Sequence, residues 1–183
     1  MMAERGGKKE ARVGRSSPSN ARWRSCFVIS GSSCEGYGAA SKYPRGVTCG
    51  ENKAVFLCLP EVTNTMAILG SRKGASLLPS CRWLQDSDVV CWGDCDEAGF
   101  GILSALRERL PGVRSNLMDH ETWKLWNRFA GAGRKDPGAR FDHLTANETE
   151  ALSAVMAGPW MLEQERIPVQ EVQRAIKRAF LGT

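Results

Sequence analysis

The stretch VVCWGDCDEAGFGIL, residues 89–103, places three acidic residues between two apolar runs. The run from Asp88 to Trp92 has the length and composition of a buried strand. The run from Phe100 to Leu110 repeats its apolar residues at helical spacing, and Pro111-Gly112 ends it. Because Gly93 and Gly99 permit a tight turn between the two runs, the stretch predicts a strand–turn–helix unit with an acidic turn.

The same alternation of strand and helix extends on both sides of this unit. It indicates an α/β fold, in which helices flank a parallel sheet on both faces. The predicted strands are residues 65–69, 88–92 and 113–118, and the predicted helices are residues 54–59, 74–84, 100–110 and 121–129.

The last third of the chain reads differently. Residues 131–140 (GAGRKDPGAR) form a loop rich in glycine and charge. An all-helical C-terminal extension is predicted after it. Thr145 and Glu148 have the spacing of a capping box, and a final helix begins near Val169.

The N-terminal residues 1–45 are expected to form a disordered basic tail, and residues 46–183 the folded domain. Residues 1–50 contain nine Lys/Arg and three Asp/Glu, whereas residues 51–183 contain sixteen basic and seventeen acidic residues. The net charge of +5 therefore belongs to the tail, whose composition buries too little apolar surface to order it.

Several classes of protein are excluded by composition. No apolar run is long enough for a membrane span, and no apolar segment follows Lys8 and Lys9 as in a secretory signal. The seven cysteines include no CxxC pair, which argues against a structural zinc site and a disulfide framework. Reduced thiols in a cytoplasmic protein are the favoured interpretation.

The acidic turn predicts a metal site. Asp94 and Asp96 follow the carboxyl end of a strand, where parallel sheets bind ligands, and residues two apart on extended chain point the same way. Paired carboxylates favour a hard divalent cation, above all Mg²⁺. Helix capping is the alternative, and we expect Glu97 to act as a capping acid. A calcium loop would need later acidic ligands that this stretch lacks.

A second segment, Gly50-Glu51-Asn52-Lys53-Ala54-Val55-Phe56, precedes the acidic turn by one strand–helix–strand unit. A glutamate followed by a DxD at this distance resembles the Toprim fold of topoisomerases, primases and nucleases. The ordered segments ENKAVF, WGDCDEAGFGIL, RSNLMD and LEQERIP resemble the C-terminal domain of the JetD family, the nuclease subunits of Wadjet anti-plasmid systems. Four motifs in order, over residues 47–183, are more specific than one DxD.

The resemblance implies roles for individual residues. Glu51, Asp94 and Asp96 would bind Mg²⁺ or Mn²⁺, and Glu51 would also transfer a proton at the scissile phosphate. Lys53, and Arg72 with Lys73 in a glycine-rich turn, would contact DNA. The alternative for all three basic residues is an exposed, solvated side chain.

Three further acids are assigned as neighbours of this site. Asp119 follows the predicted third strand, and its alternative role is a helix cap. Glu163 and Glu165 lie in the LEQERIP segment, where a surface salt bridge to Arg166 is the favoured alternative.

The implied function is a Mg²⁺-dependent DNA endonuclease, acting on double-stranded DNA with an SMC-like defence complex, and as a homodimer in which each subunit cuts one strand. The alternative is a catalytically silent Toprim remnant that binds at most DNA, metal or a partner. It is favoured by Pro44 and the glycines before Glu51, which predict a short, frayed or absent first strand, and by the lack of any likeness between residues 1–45 and the family's N-terminal DNA- and partner-binding region. A topoisomerase is disfavoured because Tyr37 and Tyr43, the two tyrosines, lie in the tail.

Overall fold

The computed structural model describes residues 26–28, 45–50, 52–69, 82–133 and 135–182. The strands are β1 (Cys26–Val28), β2 (Gly46–Gly50), β3 (Thr65–Leu69), β4 (Asp88–Cys91), β5 (Arg114–Ser115), β6 (Gly131–Ala132) and β7 (Trp160–Met161). The α-helices are α1 (Lys53–Leu57), α2 (Glu97–Arg109), α3 (His120–Trp126), α4 (Ala146–Met156) and α5 (Val169–Leu181). Single 3-10 turns cover Arg82–Asp86, Asn127–Phe129 and Gln164–Arg166.

Five strands form one parallel sheet in the order β1-β3-β2-β4-β5, which confirms the predicted α/β class. The predicted strand at residues 65–69 is β3, and β4 is one residue shorter than predicted. The predicted strand at residues 113–118 is reduced to two residues, since Leu117 has a positive φ of 54° that ends the extended chain. Most of the predicted helix at residues 74–84 lies outside the described residues.

The strand before Glu51, expected to be poor, is the middle strand of the sheet. β2 has four buried residues and pairs with β3 and β4 along its length. Its glycines are required by close packing. A Cβ on Gly46 would lie 2.7 Å from the ring of Phe180, and a Cβ on Gly50 would lie 3.1 Å from the carbonyl oxygen of Trp92. The expectation of a frayed or absent strand is therefore wrong, because neighbouring elements occupy the space of the missing side chains.

The two faces of the sheet are covered by different helices. Arg114 and Ser115 are neighbours in β5 and so point to opposite faces. Ser115 donates to Glu148 of α4 at 2.5 Å, and Arg114 donates to the carbonyl oxygen of Ala179 in α5 at 2.9 Å. Helix α2 packs with α4, and its Phe100 is fully buried in the core. Helices α2 and α4 therefore cover one face, and α5 the other.

A buried ion pair joins α2 to α4. Arg107 and Glu148 side chains are 12% and 3% exposed, and their bidentate bond has lengths of 2.7 and 2.9 Å. The predicted capping box is confirmed: Glu148 accepts from the backbone N–H of Thr145, whose hydroxyl accepts from the N–H of Glu148. Burial alone would raise the pKa of Glu148, but hydrogen bonds from Arg107, Ser115 and Thr145 outweigh it and lower the pKa to about 2.

The C-terminal extension is not all-helical. Strand β7 pairs antiparallel with β6, which lies in the predicted loop of residues 131–140. Strands of two residues are too short to show a period in the sequence. The final helix is α5, and it begins at Val169 as predicted.

Strand β1 lies within the range assigned to the disordered tail. Its residues pair in parallel with β3, whose backbone groups would otherwise be unpaired on that side. The expectation of disorder does not hold for Cys26–Val28. For residues 1–25 and 29–44, which lie outside the described residues, it stays a prediction. None of the described helices has the length and apolar character needed to cross a membrane.

Candidate functional site

The carboxyl ends of β2 and β4 lie side by side in the middle of the sheet. Cys49 and Cys91 are register partners, and the N–H of Trp92 donates to the carbonyl oxygen of Cys49 at 2.9 Å. The chain segments that follow both strands therefore leave the sheet at the same edge. Glu51 lies outside the described residues, but both of its neighbours in sequence, Gly50 and Asn52, are described.

Asp94 and Asp96 stand at this edge, and backbone N–H groups hold each of them. Asp94 Oδ1 accepts from the N–H of Gln164 at 2.8 Å. Asp96 is the N-cap of α2, is 8% exposed, and its Oδ1 accepts from the N–H of Gly99 at 2.7 Å. A Cβ on Gly99 would lie 2.1 Å from the carbonyl oxygen of Asp94, so the tight turn depends on this glycine.

The capping role predicted for Glu97 belongs to Asp96 instead. Glu97 is the first residue of α2, and its Oε2 accepts from the N–H of Asp136 at 2.9 Å. The N-cap residue is the one with extended backbone just before the first helical turn, and Asp96 has that conformation, with φ −144° and ψ 174°. The acidic stretch thus contains one cap, and Glu97 holds a distant loop.

The pKa of the Cys95 thiol is affected by the acidic residues around it. Burial raises the pKa of Cys95 far above its ordinary value, and the charges of Asp94, Asp119 and Asp96 raise it further. The thiol stays protonated and approaches the carbonyl oxygen of Leu117 at 3.5 Å. Asp119, predicted as an acidic neighbour, therefore lies close enough to act on this residue, and it also caps α3 through a 2.7 Å bond from the N–H of Thr122.

The LEQERIP segment, residues 162–168, packs on the edge of the sheet that carries Asp94 and Asp96, called the acidic edge below. Leu162 and Cys95 form an isolated antiparallel bridge, with N···O distances of 2.9 and 3.2 Å. Gln164, 2% exposed, donates its side-chain amide to the carbonyl oxygen of Trp92 at 2.9 Å and its N–H to Asp94. Sequence reasoning missed Gln164, because a single glutamine between charged residues has no motif or spacing that distinguishes it.

The two glutamates of this segment differ in their contacts. Glu163 pairs with Arg166 at 3.2 Å on the surface, which is the alternative role predicted for it. Glu165 accepts from the side-chain amide of Asn52, the N-cap of α1, whose Oδ1 accepts from the N–H of Ala54 at 2.8 Å. Glu165 thus contacts the residue that follows Glu51.

The described part of the chain contains no group of three or more His, Cys, Asp or Glu side chains converged closely enough to hold a metal ion. Asp94, Asp96 and Asp119 surround Cys95 without meeting at one point. Of the other predicted site residues, Lys53 begins α1 but its side chain is not described, and Glu51, Arg72 and Lys73 lie outside the described residues.

A family model described as "Wadjet protein JetD, C-terminal" matches residues 34–176. The match begins before β2, the central strand of the sheet. It spans the turn that contains Asp94 and Asp96, called the DxD turn below, and the LEQERIP segment. A comparison with individually curated proteins found no match. Since the matched residues make up most of the chain, the protein belongs to the JetD C-terminal family of Wadjet proteins.

Proposed function

We propose that this chain is a Mg²⁺- or Mn²⁺-dependent DNA endonuclease domain of a Wadjet-type plasmid defence system. One observation carries the proposal: the DxD turn and the segment containing Glu51 leave adjacent central strands at the same edge of a parallel sheet. Ligand sites in such sheets lie beyond the carboxyl ends of the strands. Family membership supports the assignment to a Wadjet system component.

The side chains at this edge offer the kind of donor atom that a hard divalent cation prefers. Asp94 and Asp96 offer carboxylate oxygens, which Mg²⁺ prefers, whereas the neighbouring Cys95 thiol is buried and protonated. After burial, which is the largest cause, the charges of Asp94, Asp119 and Asp96 also raise the pKa of Cys95, and the same negative charges attract a cation. We assign Glu51, Asp94 and Asp96 as the residues that would hold it. A bound ion of this kind stabilises negative charge on a phosphate under attack.

The surrounding residues position these carboxylates. Gln164 holds Asp94 through its N–H, and the N–H of Gly99 holds Asp96, so both carboxylates are oriented by backbone groups that cannot rotate away. Asn52 and Glu165 fix the start of α1 immediately after Glu51. In the proposal Glu51 also transfers a proton to or from the reacting water. Lys53, Arg72 and Lys73 are proposed to contact the DNA backbone.

One argument for the alternative, a silent remnant, no longer holds. A damaged first strand favoured it, but β2 is a regular strand between β3 and β4 with four buried residues. We therefore propose the active nuclease. Its proposed partners are double-stranded DNA, an SMC-like defence complex and a second copy of the chain, in the cytoplasm.

The test compares matched carboxylate variants in nicking of closed circular plasmid with Mg²⁺ or Mn²⁺ and the partner complex. We expect the pair Asp94→Asn and Asp96→Asn to lower cleavage at least about 100-fold, because both charges are lost at the reacting centre. The amide oxygens can still accept from Gln164 and Gly99, so the local fold is kept. Asp88→Asn is the control, since Asp88 lies at the opposite end of β4 and pairs with Arg114 on the surface. Undiminished cleavage by the double variant would overturn the proposal.

A further inference from the structure

A basic loop lies beside the acidic edge, and the function proposed above does not use it. Residues 133–140 (GRKDPGAR) contain three basic residues, Arg134, Lys135 and Arg140, against the single acid Asp136. Lys135 and Arg140 are exposed, and neither forms an ion pair with another described residue. Arg134 lies outside the described residues.

The loop is attached to the fold at both ends. At its start, β6 pairs with β7, and the N–H of Gly133 donates to the carbonyl oxygen of Pro159 at 2.8 Å. Further along, the N–H of Asp136 donates to Glu97 at 2.9 Å, and a turn follows in which the N–H of Ala139 donates to the carbonyl oxygen of Asp136 at 3.0 Å. At its end the loop touches α2 so closely that a Cβ on Gly101 would lie 2.9 Å from the Cβ of Ala139.

Two of these attachments lead directly to the DxD turn. Glu97, which holds Asp136, is the next residue after Asp96. Met161 of β7, which pairs with Gly131, is the residue before Leu162, which bridges to Cys95. The loop is therefore held against the same turn that presents Asp94 and Asp96.

The basic side chains of the loop can offset the negative charge of the acidic edge toward DNA. An edge that gathers three carboxylates repels a polyanion, and phosphate contacts from basic side chains supply most of the affinity of proteins for DNA. Lys135 is next to Asp136, whose N–H is bonded to Glu97. Arg140 is next to Ala139, which packs on Gly101, about one turn after Glu97 in α2. Arg140 lines a groove beside α2 that Glu108 and Asp142 also line. Because these two acids offset part of the charge of Arg140, Lys135 and Arg140 are tested together.

We propose that residues 135–140 form a fixed phosphate-binding loop, which holds the backbone of double-stranded DNA beside the acidic edge through Lys135 and Arg140. The inference rests on the proposed function, because it takes DNA as the substrate of that edge. Glu97 is then a positioning residue, since its carboxylate fixes the loop relative to the DxD turn.

The first experiment measures binding of the full chain to a short DNA duplex by fluorescence anisotropy in EDTA, where no cleavage occurs. The variant is Lys135→Gln with Arg140→Gln. The control is Lys177→Gln with Arg178→Gln, which removes equal charge from exposed positions of α5, near Phe180 and the amino end of β2.

Loss of two phosphate contacts reduces the slope of log K against log salt by about 1.8. Between 50 and 200 mM salt, the affinity of the wild type is therefore expected to fall about tenfold more than that of the loop variant. The control variant should keep the wild-type slope. An unchanged slope for the loop variant, or a wild type that does not bind the duplex, overturns this inference. Neither outcome overturns the nuclease proposal, which is overturned by undiminished cleavage in the carboxylate variants.

The second experiment separates positioning from charge. Glu97→Ala and Glu97→Gln remove the same negative charge, but the glutamine oxygen can still accept from the N–H of Asp136. If charge alone mattered, both variants would bind DNA more tightly than the wild type and equally. We expect Glu97→Ala to bind at least about threefold more weakly than Glu97→Gln, since each phosphate contact depends on a fixed loop. Equal affinities would contradict the positioning role.

Discussion

Two groups of carboxylates in this protein have different surroundings: Glu148 lies between α2 and α4, and Asp94, Asp96 and Asp119 lie around Cys95. Glu148 receives hydrogen bonds from Arg107, Ser115 and Thr145, and its pKa is lowered to about 2. Around Cys95, burial raises the pKa of the thiol most, and the charges of Asp94, Asp119 and Asp96 raise it further. In the first region a basic side chain of the protein matches the negative charge. In the second, Asp94 and Asp96 accept hydrogen bonds from the backbone N–H groups of Gln164 and Gly99.

The difference separates structure from proposed function. A buried carboxylate bonded to arginine connects elements and keeps its charge when the protein is alone. In the proposed function, the carboxylates at the carboxyl ends of the parallel strands hold a divalent cation, which would offset the repulsion between them. The two acidic regions are therefore expected to respond differently to mutation, pH and metal.

The largest effect on stability is expected when the side chain of Arg107, the ion-pair partner of Glu148, is removed. Arg107→Ala leaves Glu148 buried without its ion-pair partner, which typically costs about 3–5 kcal/mol of unfolding free energy. Urea denaturation followed by circular dichroism measures it. Arg114→Ala is the matched control, since its pair with Asp88 is 48% and 45% exposed and such a pair contributes about 1 kcal/mol or less. Similar losses for the two variants would remove the contrast between the regions.

A pH titration tests the same pair without relying on the loss of arginine. Because the pKa of Glu148 falls from its ordinary value of 4.5 to about 2 on folding, its contribution is present above pH 4.5 and lost as the pH falls toward 2. The contribution is about 3 kcal/mol at neutral pH. The measurement is the difference in unfolding free energy between the wild type and Glu148→Gln, at pH 7 and at pH 3. A difference that does not shrink at pH 3 would contradict the assignment.

The turn of the second region is tested through its glycine. Gly99→Ala places a Cβ 2.1 Å from the carbonyl oxygen of Asp94, so the backbone that presents the DxD must move. Overpacking of this kind costs about 1–3 kcal/mol. We expect plasmid nicking to fall as well, because Asp94 is displaced. Gly112→Ala is the control for thermal unfolding, since no atom lies within 4 Å of its added Cβ.

The smallest effect concerns the cover of the acidic edge. Gln164→Ala removes the side-chain bond to the carbonyl oxygen of Trp92 but keeps the backbone N–H that holds Asp94. Leaving that buried acceptor unpaired costs about 1–3 kcal/mol. Glu163→Ala, one residue away, breaks a surface pair with Arg166 and is expected to change stability by about 0.5 kcal/mol or less. Equal effects in chemical denaturation would show that the segment is not held by Gln164.

Elements with strong local signals were predictable from the sequence. β3, β4 and α5 follow from apolar runs and periods with clear ends, and the capping box follows from Thr145 and Glu148. The DxD turn follows from two acids between a strand and a helix. These signals depend on neighbours within a few residues, which is the range over which backbone conformation and amphipathic pattern are set.

Other features were decided by contacts between distant parts of the chain. The glycines of β2 argued against a strand until the ring of Phe180 and the backbone of Trp92 filled the space beside them. Glu97 contacts Asp136, and Gln164 contacts Trp92 and Asp94, across tens of residues.

By itself, the sequence determined the alternation of strand and helix, the acidic turn and the likeness to the JetD family. Only the tertiary structure decided that the strand before Glu51 is central, that Asp96 rather than Glu97 caps α2, and that Gln164 covers the edge. The physical reason is that steric fit and hydrogen-bond partners depend on which residues meet in space, and local patterns do not encode those meetings.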